Sequence, residues 1–462
     1  MLVPINITGQ TYKSRSRPLS FQTTQNFYSD LVDNQNAKSG YVLMPFPGMK
    51  LFGTTTGADR GMLEHQTNLY KVSGSKLYDV DSSGVHTELG SIPGTARCIL
   101  EGINSNVVIV TQGKAYLWNG STVAEITDVD LETPNSCTHL RNVMIYDGDG
   151  GRFCTSDVGD ATSIDGLNYA TAESNADDLK RVYTFGDRAF MLGDKTTEEW
   201  WFSGVGSPPL DQVQGGTRTI GIAAIHSVAN NDNAMYFLGD DNRVYQNFTP
   251  IDTIAIHNQI SSFSQVSDAI GFCFTLEGHN FYKLTFPGVN KSFLFSERTG
   301  WHTLSSGTQG GRSYANSYAY AFRKHLVADY RNGNIYEWDV NTFTDNGDMI
   351  IRQRDTGPLH GGLFNLPGKE LTMNYFELIM ETGVGLISGQ GSDPKIMLSY
   401  SDDGGRTFGN EAQGSIGKLG QYQWQVRWDN LGSFYERVMR IRISDPVFCS
   451  IHNAAADIEA WI

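Results

Sequence analysis

Charge is scarce in this sequence, and basic charge is scarcer still. Charged side chains make up 18% of the 462 residues, and 35 Lys and Arg face 50 Asp and Glu, which leaves −15 at neutral pH. The deficit is spread along the chain instead of sitting in one tail, which argues against a protein that grips nucleic acid by neutralising phosphates. The five cysteines (Cys98, Cys137, Cys154, Cys273 and Cys449) are odd in number, widely spaced and without a C-x-x-C pair. That excludes a disulfide framework and a zinc cluster as organising devices. No apolar run reaches the ~18 residues of a membrane span, and Met1-Leu2-Val3-Pro4-Ile5-Asn6 lacks a basic segment ahead of an apolar one. The expectation is a soluble protein folded in a reducing cytoplasm, with neither a signal peptide nor membrane insertion.

Catalytic signatures are missing too. The ten histidines form no His-Glu-x-x-His arrangement, and no nucleophile elbow, phosphate-binding loop or dinucleotide fingerprint occurs. The Asp147-Gly148-Asp149-Gly150-Gly151 run lacks the further ligands of a calcium loop and reads as a turn. No cofactor and no metal is expected. Helix signals are thin as well, with only Ala172 to Leu179 able to make two turns.

What the chain has in quantity is glycine (50 residues) and aromatic side chains (11%), the composition of short strands joined by tight turns. Apolar or aromatic runs enter a Gly, Asp or Asn turn and leave in a second run. Leu69 to Val72 leads through Ser73-Gly74 to Leu77 to Val80, and Val107 to Val110 leads through Gln112-Gly113 to Tyr116 to Trp118. Further copies lie at Ala234 to Tyr245, Phe272 to Leu284 and Leu326 to Trp338. Each is a β-hairpin by its turn chemistry. Recurrence about every 35 to 50 residues fits the blades of a propeller, at about four strands per blade. The fold class is therefore all-β, with a propeller-like domain of six to eight blades over 61–345. Residues 1–60 read as an extended arm with the first strands, laid over something else, and 346–462 as a C-terminal β-domain.

In that last domain Tyr422, Trp424, Val426 and Trp428 alternate with polar residues, as do Met439, Ile441 and Ile443 with Arg440 and Arg442. The polar face then carries Arg427, Arg440 and Arg442, either paired with acids across strands or offered to a partner. Lys13, Arg15 and Arg17 are a second candidate partner contact, against the plainer reading of a solvated segment. Ser401-Asp402-Asp403-Gly404-Gly405-Arg406-Thr407-Phe408 matches the Asp-box at every defined position, namely Ser401, Asp403, Gly405, Thr407 and Phe408. Asp403 can accept backbone N–H bonds within the turn, Gly405 supplies the unusual φ, and Phe408 packs beneath the hairpin. The motif is first a folding device. Because sialidase-like propellers also carry it, an Asp-box glycosidase is the alternative function, and it requires a carboxylate pair or a tyrosine with an arginine cluster.

Read as words, the sequence resembles the packaged-DNA stabilisation proteins, the tail hubs of short-tailed bacteriophages. The resemblance runs through Tyr41 to Phe52, Thr196 to Trp200, His226 to Ala229, Glu277 to Pro287, Lys324 to Tyr336, Met380 to Leu386 and Gly417 to Val447. It implies a non-enzymatic virion tail protein, made in the host cytoplasm, whose copies form a ring, expected to be a hexamer. The ring would sit below the portal adaptor ring, be closed by a tail needle or plug, and carry tailspikes or tail fibres. DNA would pass through its channel without tight binding.

Overall fold

A blade strand with a neighbouring blade on each side has to bury two faces, and this decides how the chain is written. In the computed structural model, which describes residues 2–32, 39–172 and 177–460, Val107 and Ile109 pack with the preceding blade through Tyr70, Val72 and Leu77. Val108 and Val110 turn the other way, onto Cys137, Met144 and Tyr146 of the following blade. All four valines and isoleucines are essentially buried, each worth roughly 1.5–3 kcal/mol relative to exposure. An unbroken apolar run, and not an alternating one, is thus the signature of a strand with a neighbour on both sides.

Seven four-stranded antiparallel blades follow, within the expected six to eight. Six are contiguous in sequence, over 59–91, 99–125, 137–171, 179–212, 229–250 and 270–304. The seventh is composite: Ala315–Ala321, Lys324–Asp329 and Asn334–Asp339 supply three strands, and the fourth is Gly48–Thr54 from the amino-terminal region, antiparallel to Asn334–Asp339. The hairpins read from turn chemistry are all present within these blades. Of the segment Ala172 to Leu179, which could make two helical turns, 173–176 lie outside the described residues, and Leu179 opens a strand. A single α-helix, Ile254–Ser261, occurs among the described residues, started by the Thr253 hydroxyl accepting from the Ile256 N–H.

The C-terminal domain is a β-sandwich. One sheet orders Phe27–Leu31, Tyr41–Pro45, Ile451–Ala460, Leu371–Met380 and Val426–Phe434, with Leu2–Ile5 also on Ile451–Ala460. The facing sheet orders Arg352–Asp355, Glu436–Ile443, Lys395–Ser401 and Ala412–Ser415. Their shared core includes Phe27, Leu43, Phe376, Trp428, Met439 and Ile441. The strand expected from Tyr422 begins only at Val426, because Tyr422 and Gln423 lie in a turn that brings the Trp424 N–H onto the Gln421 carbonyl. Tyr422 and Trp424 are exposed, whereas Val426 and Trp428 are buried.

The described strands within residues 1–60 lie on their own chain. Thr24–Gln25 pairs parallel with Gly300–Leu304, the outer strand of the sixth blade, and antiparallel with Arg352–Asp355 of the sandwich. One hydrogen-bonded sheet therefore runs from propeller into sandwich. Along the next strand, alternation sends Phe27 into the sandwich core and Tyr28 into the propeller beside Phe46, Phe281 and Trp338.

Ring closure is tightest where Gly333 meets Thr55. The Thr55 N–H donates to the Gly333 carbonyl at 2.9 Å, the buried Lys71 ammonium donates to the same oxygen at 2.8 Å, and a Cβ at Gly333 would lie 1.7 Å from the Thr55 carbonyl oxygen. Gly333→Ala should therefore destabilise the propeller by about 1–3 kcal/mol or more. Gly40→Ala, with no atom within 4 Å of its Cβ, should leave thermal melting unchanged; equal melting of both variants would mean that the closure tolerates a shift.

Candidate assembly site at the domain junction

The Asp-box turn follows from one carboxylate and several amides. Asp403 accepts from the Arg406 N–H at 2.8 Å, the Thr407 N–H at 2.9 Å and the Thr407 hydroxyl at 2.6 Å. The Ser401 hydroxyl donates to it at 2.6 Å and accepts from the Gly405 N–H at 2.9 Å. These hydrogen bonds, led by those from the Ser401 and Thr407 side chains, hold its carboxyl far below the usual range. Gly404 and Gly405 both take positive φ, +72° and +79°.

Both glycines also permit contact with the amino-terminal segment. A Cβ on Gly404 would meet Pro18 at 3.2 Å, and one on Gly405 would meet the Phe21 ring at 2.7 Å. Arg17 donates to the Gly405 carbonyl at 3.3 Å and stands over the Phe21 ring, as does the Lys13 ammonium. Phe408 carries the Arg440 guanidinium 3.5 Å above its ring, and Arg440 in turn grips Asp355 with two hydrogen bonds of 2.8 and 3.0 Å. The structure thus brings together the Asp-box, Lys13, Arg17 and Arg440. Arg15 is exposed and forms no ion pair among the described residues.

Arg427 and Arg442 stand apart from this cluster. Arg427 pairs with Asp429 and lies 3.6 Å over the Tyr375 ring, and Arg442 donates to Glu411 at 2.8 Å. All three arginines of the expected polar face are therefore engaged by acids of the same chain.

Two arginines escaped the sequence reading. Arg437, 1% exposed, is chelated by Asp402 at 2.7 Å through both Nε and NH2, donates to the Leu431 carbonyl, and lies against Tyr400 and Phe434. Arg354, also 1% exposed, donates to the Thr24 hydroxyl and the Gly9 carbonyl; burial lowers it to about 10, against the opposing pull of Asp355. Arg437 shares its strand parity with Met439, Ile441 and Ile443. A charge in an apolar phase was the available signal.

Several of the acidic residues singled out in the sequence are engaged by other groups of the chain. Asp402 is held by Arg437. Glu198 accepts from the Trp200 indole at 3.0 Å, Glu199 meets Arg188, and Asp240 meets Lys195. Asp147 accepts the N–H groups of Asn135 and Ser136, and no group of three metal-ligating side chains forms among the described residues. Of the cavities beside the amino-terminal segment, the one of about 530 Å³ beside Leu19 and Phe364 and the one of about 70 Å³ beside Lys13 and Trp301 have no carboxylate in their lining, whereas the one beside Val3 includes Glu459.

A seven-bladed propeller joined to a β-sandwich by its own amino-terminal strands defines an all-β protein of the propeller–sandwich class. The chain belongs to the family of bacteriophage P22 Gp10, the packaged-DNA stabilisation proteins of short-tailed phage tails. The β-propeller of that family matches residues 1–343 and its β-sandwich matches 359–459. The protein is a phage virion structural component. No protein with a curated description matches the sequence. Among solved structures, the Pan2 WD40 domain of Neurospora crassa is 7% identical with a TM-score of 0.43, over 64% of this chain and 96% of that one. Virginiamycin B lyase from Staphylococcus aureus is 12% identical with a TM-score of 0.41, over 67% and 98%. No helix of the described residues is long and apolar enough to cross a membrane.

Asp403→Ala should lower the melting temperature of the chain by several degrees at pH 7. Because folding depresses this carboxyl, its contribution is present above the unfolded carboxylate pKa near ~4 and fades as pH falls toward the folded value. The gap between the two melting curves should therefore close below about pH 4. A gap independent of pH would mean that the turn does not depend on the ionised carboxylate.

Proposed function

We propose that this protein is the tail hub, a six-copy ring below the portal adaptor that closes the DNA exit channel after packaging and carries a plug and receptor-binding fibres or spikes. The observation that carries the reading is the continuous sheet from the sixth blade through Thr24–Gln25 into the sandwich. A closure under pressure from packaged DNA must transmit load without hinging, and a hydrogen-bonded sheet between domains opposes shear in a way that a flexible linker cannot. Cyclic repetition of one interface then surrounds the channel. The propeller over 61–345 and the C-terminal domain over 346–462 work as one body in this role. The exposed Arg15 is left as a contact for a neighbouring copy or ring.

The protein acts by obstruction and not by grip, and it has no catalytic role. At −15 per chain, a predominantly acidic wall repels phosphate within the ~8 Å Debye length of physiological salt, so DNA slides when the plug leaves. Native mass measurement should find six copies, and filter binding should detect only weak association of the rings with duplex DNA. Tight binding at about 50 mM salt that collapses by about 200 mM would mark a DNA-gripping collar and remove the obstruction mechanism. A chain that stays monomeric with adaptor present would remove the hub assignment itself.

A further inference from the structure

The propeller has an axis of its own, distinct from any channel through a ring, and several basic side chains lie near one of its mouths. The inner strands of the blades run in the same direction round that axis, so residues near their first positions lie toward one mouth. Here those places hold Arg97, two residues before Ile99–Ile103; Arg181, the third residue of Leu179–Phe185; His226, in the turn before Ala229–Asn230; and Arg312, three residues before Ala315–Ala321. The groups feel one another: Arg97 and Arg181 add to burial in holding the His226 imidazole neutral, and Arg312 and Arg97 act likewise on Lys283.

Counter-charge at this mouth is only partly committed. Asp59 gives one carboxylate oxygen to Asn316 and Ser317 and keeps the other buried without a hydrogen-bond partner, as a charge that acts on Arg97, while Glu101 pairs with His139 through one oxygen and Asp147 accepts from the backbone of Asn135 and Ser136. Lys283 is satisfied by Thr285 and the Ala315 carbonyl. By contrast, NH1 of Arg97 and both Nε and NH1 of Arg181 are buried with no hydrogen-bond partner among the described residues, and Arg181 is only 8% exposed. Arg312 lies with its guanidinium carbon 3.4 Å from the centre of the Tyr330 ring.

We propose that this mouth is an oxyanion-binding site of the phosphate class, with Arg97 and Arg181 as its inner donors and Arg312 at its rim. Planar guanidinium forks match the edges of a tetrahedral oxyanion, and burial strengthens each charge-assisted bond. The ligand is either free phosphate or the terminal phosphate of a nucleic-acid end, which share that chemistry.

The test uses the full chain, with melting temperature and ³¹P line width as readouts. Inorganic phosphate at millimolar concentration should raise the melting temperature by several degrees over chloride at equal ionic strength and should broaden its own ³¹P line. Arg181→Gln should abolish both effects. Arg312→Gln, at the half-exposed rim, keeps the fold and should weaken binding about tenfold, so the proposal stays open to refutation even if the buried variant fails to fold. A 5′-phosphorylated oligonucleotide that competes, while its unphosphorylated twin does not, would assign the site to nucleic-acid ends; failure of both to compete would assign it to the free ion. Equal stabilisation by chloride, or phosphate binding that survives Arg312→Gln and Arg97→Gln unchanged, overturns the proposal. Neither result bears on ring formation.

Discussion

Asn26 sits where three backbones have to be satisfied at once, and much of the architecture depends on how it does so. Its backbone is left-handed (φ 54°) and its side chain is buried. Its amide nitrogen donates to the Ser305 carbonyl of the propeller and to the Ile351 carbonyl that leads into the sandwich, each at 2.9 Å, while its amide oxygen accepts from the Ser305 N–H. Its main chain continues the pattern, donating to Thr303 and accepting from Phe46. Ala here would leave buried donors and acceptors orphaned, at about 1–3 kcal/mol each, and would have to adopt a conformation that Asn tolerates far better. Flanking Asn26, Thr24–Gln25 joins the two sheets and Phe27–Leu31 enters the sandwich, while Gly48–Thr54 goes on to close the propeller. One short stretch therefore fixes the ring, the sandwich and their relation.

The charges follow the same logic. A β-rich chain with few basic groups has used most of those in the sandwich to bind itself: Arg437 with Asp402, Arg440 with Asp355, Arg442 with Glu411, Arg427 with Asp429. Several are stacked on aromatic rings, which holds the guanidinium plane and limits the entropy lost on pairing. Exposed pairs of this kind contribute little individually. The buried Arg437 differs, because removing Asp402 would strand a desolvated cation.

Much of this was legible in the sequence, and what was not has a physical reason. The hairpins could be read because Ser73-Gly74, Gln112-Gly113 and Asn332-Gly333-Asn334 sit between apolar runs, and turn chemistry is local. The Asp-box was legible for the same reason, since the hydrogen bonds that Ser401 and Asp403 make within the turn span seven residues. Blade membership of Gly48–Thr54 was not, because its partner strand is almost 300 residues away and nothing local marks it. Residues 1–60 looked weakly periodic because their strands serve two cores alternately, Phe27 facing one and Tyr28 the other, which erases the contrast between an apolar and a polar face. The helix Ile254–Ser261 was missed because a β-branched run (Ile254, Ile256, Ile260) hides behind a single Thr253 cap. At Tyr422 to Trp428, true alternation in sequence outran the strand, because a turn around Gln421 stops the ladder at Val426.

If the amino-terminal strands make propeller and sandwich one mechanical body, the two cannot unfold independently. Differential scanning calorimetry of the intact chain and of Asn26→Ala tests this directly. The account predicts one cooperative transition for the intact chain, and for Asn26→Ala a separation in which the sandwich melts first and the propeller later. Two independent transitions in the intact chain, unmoved relative to one another by the substitution, would contradict it.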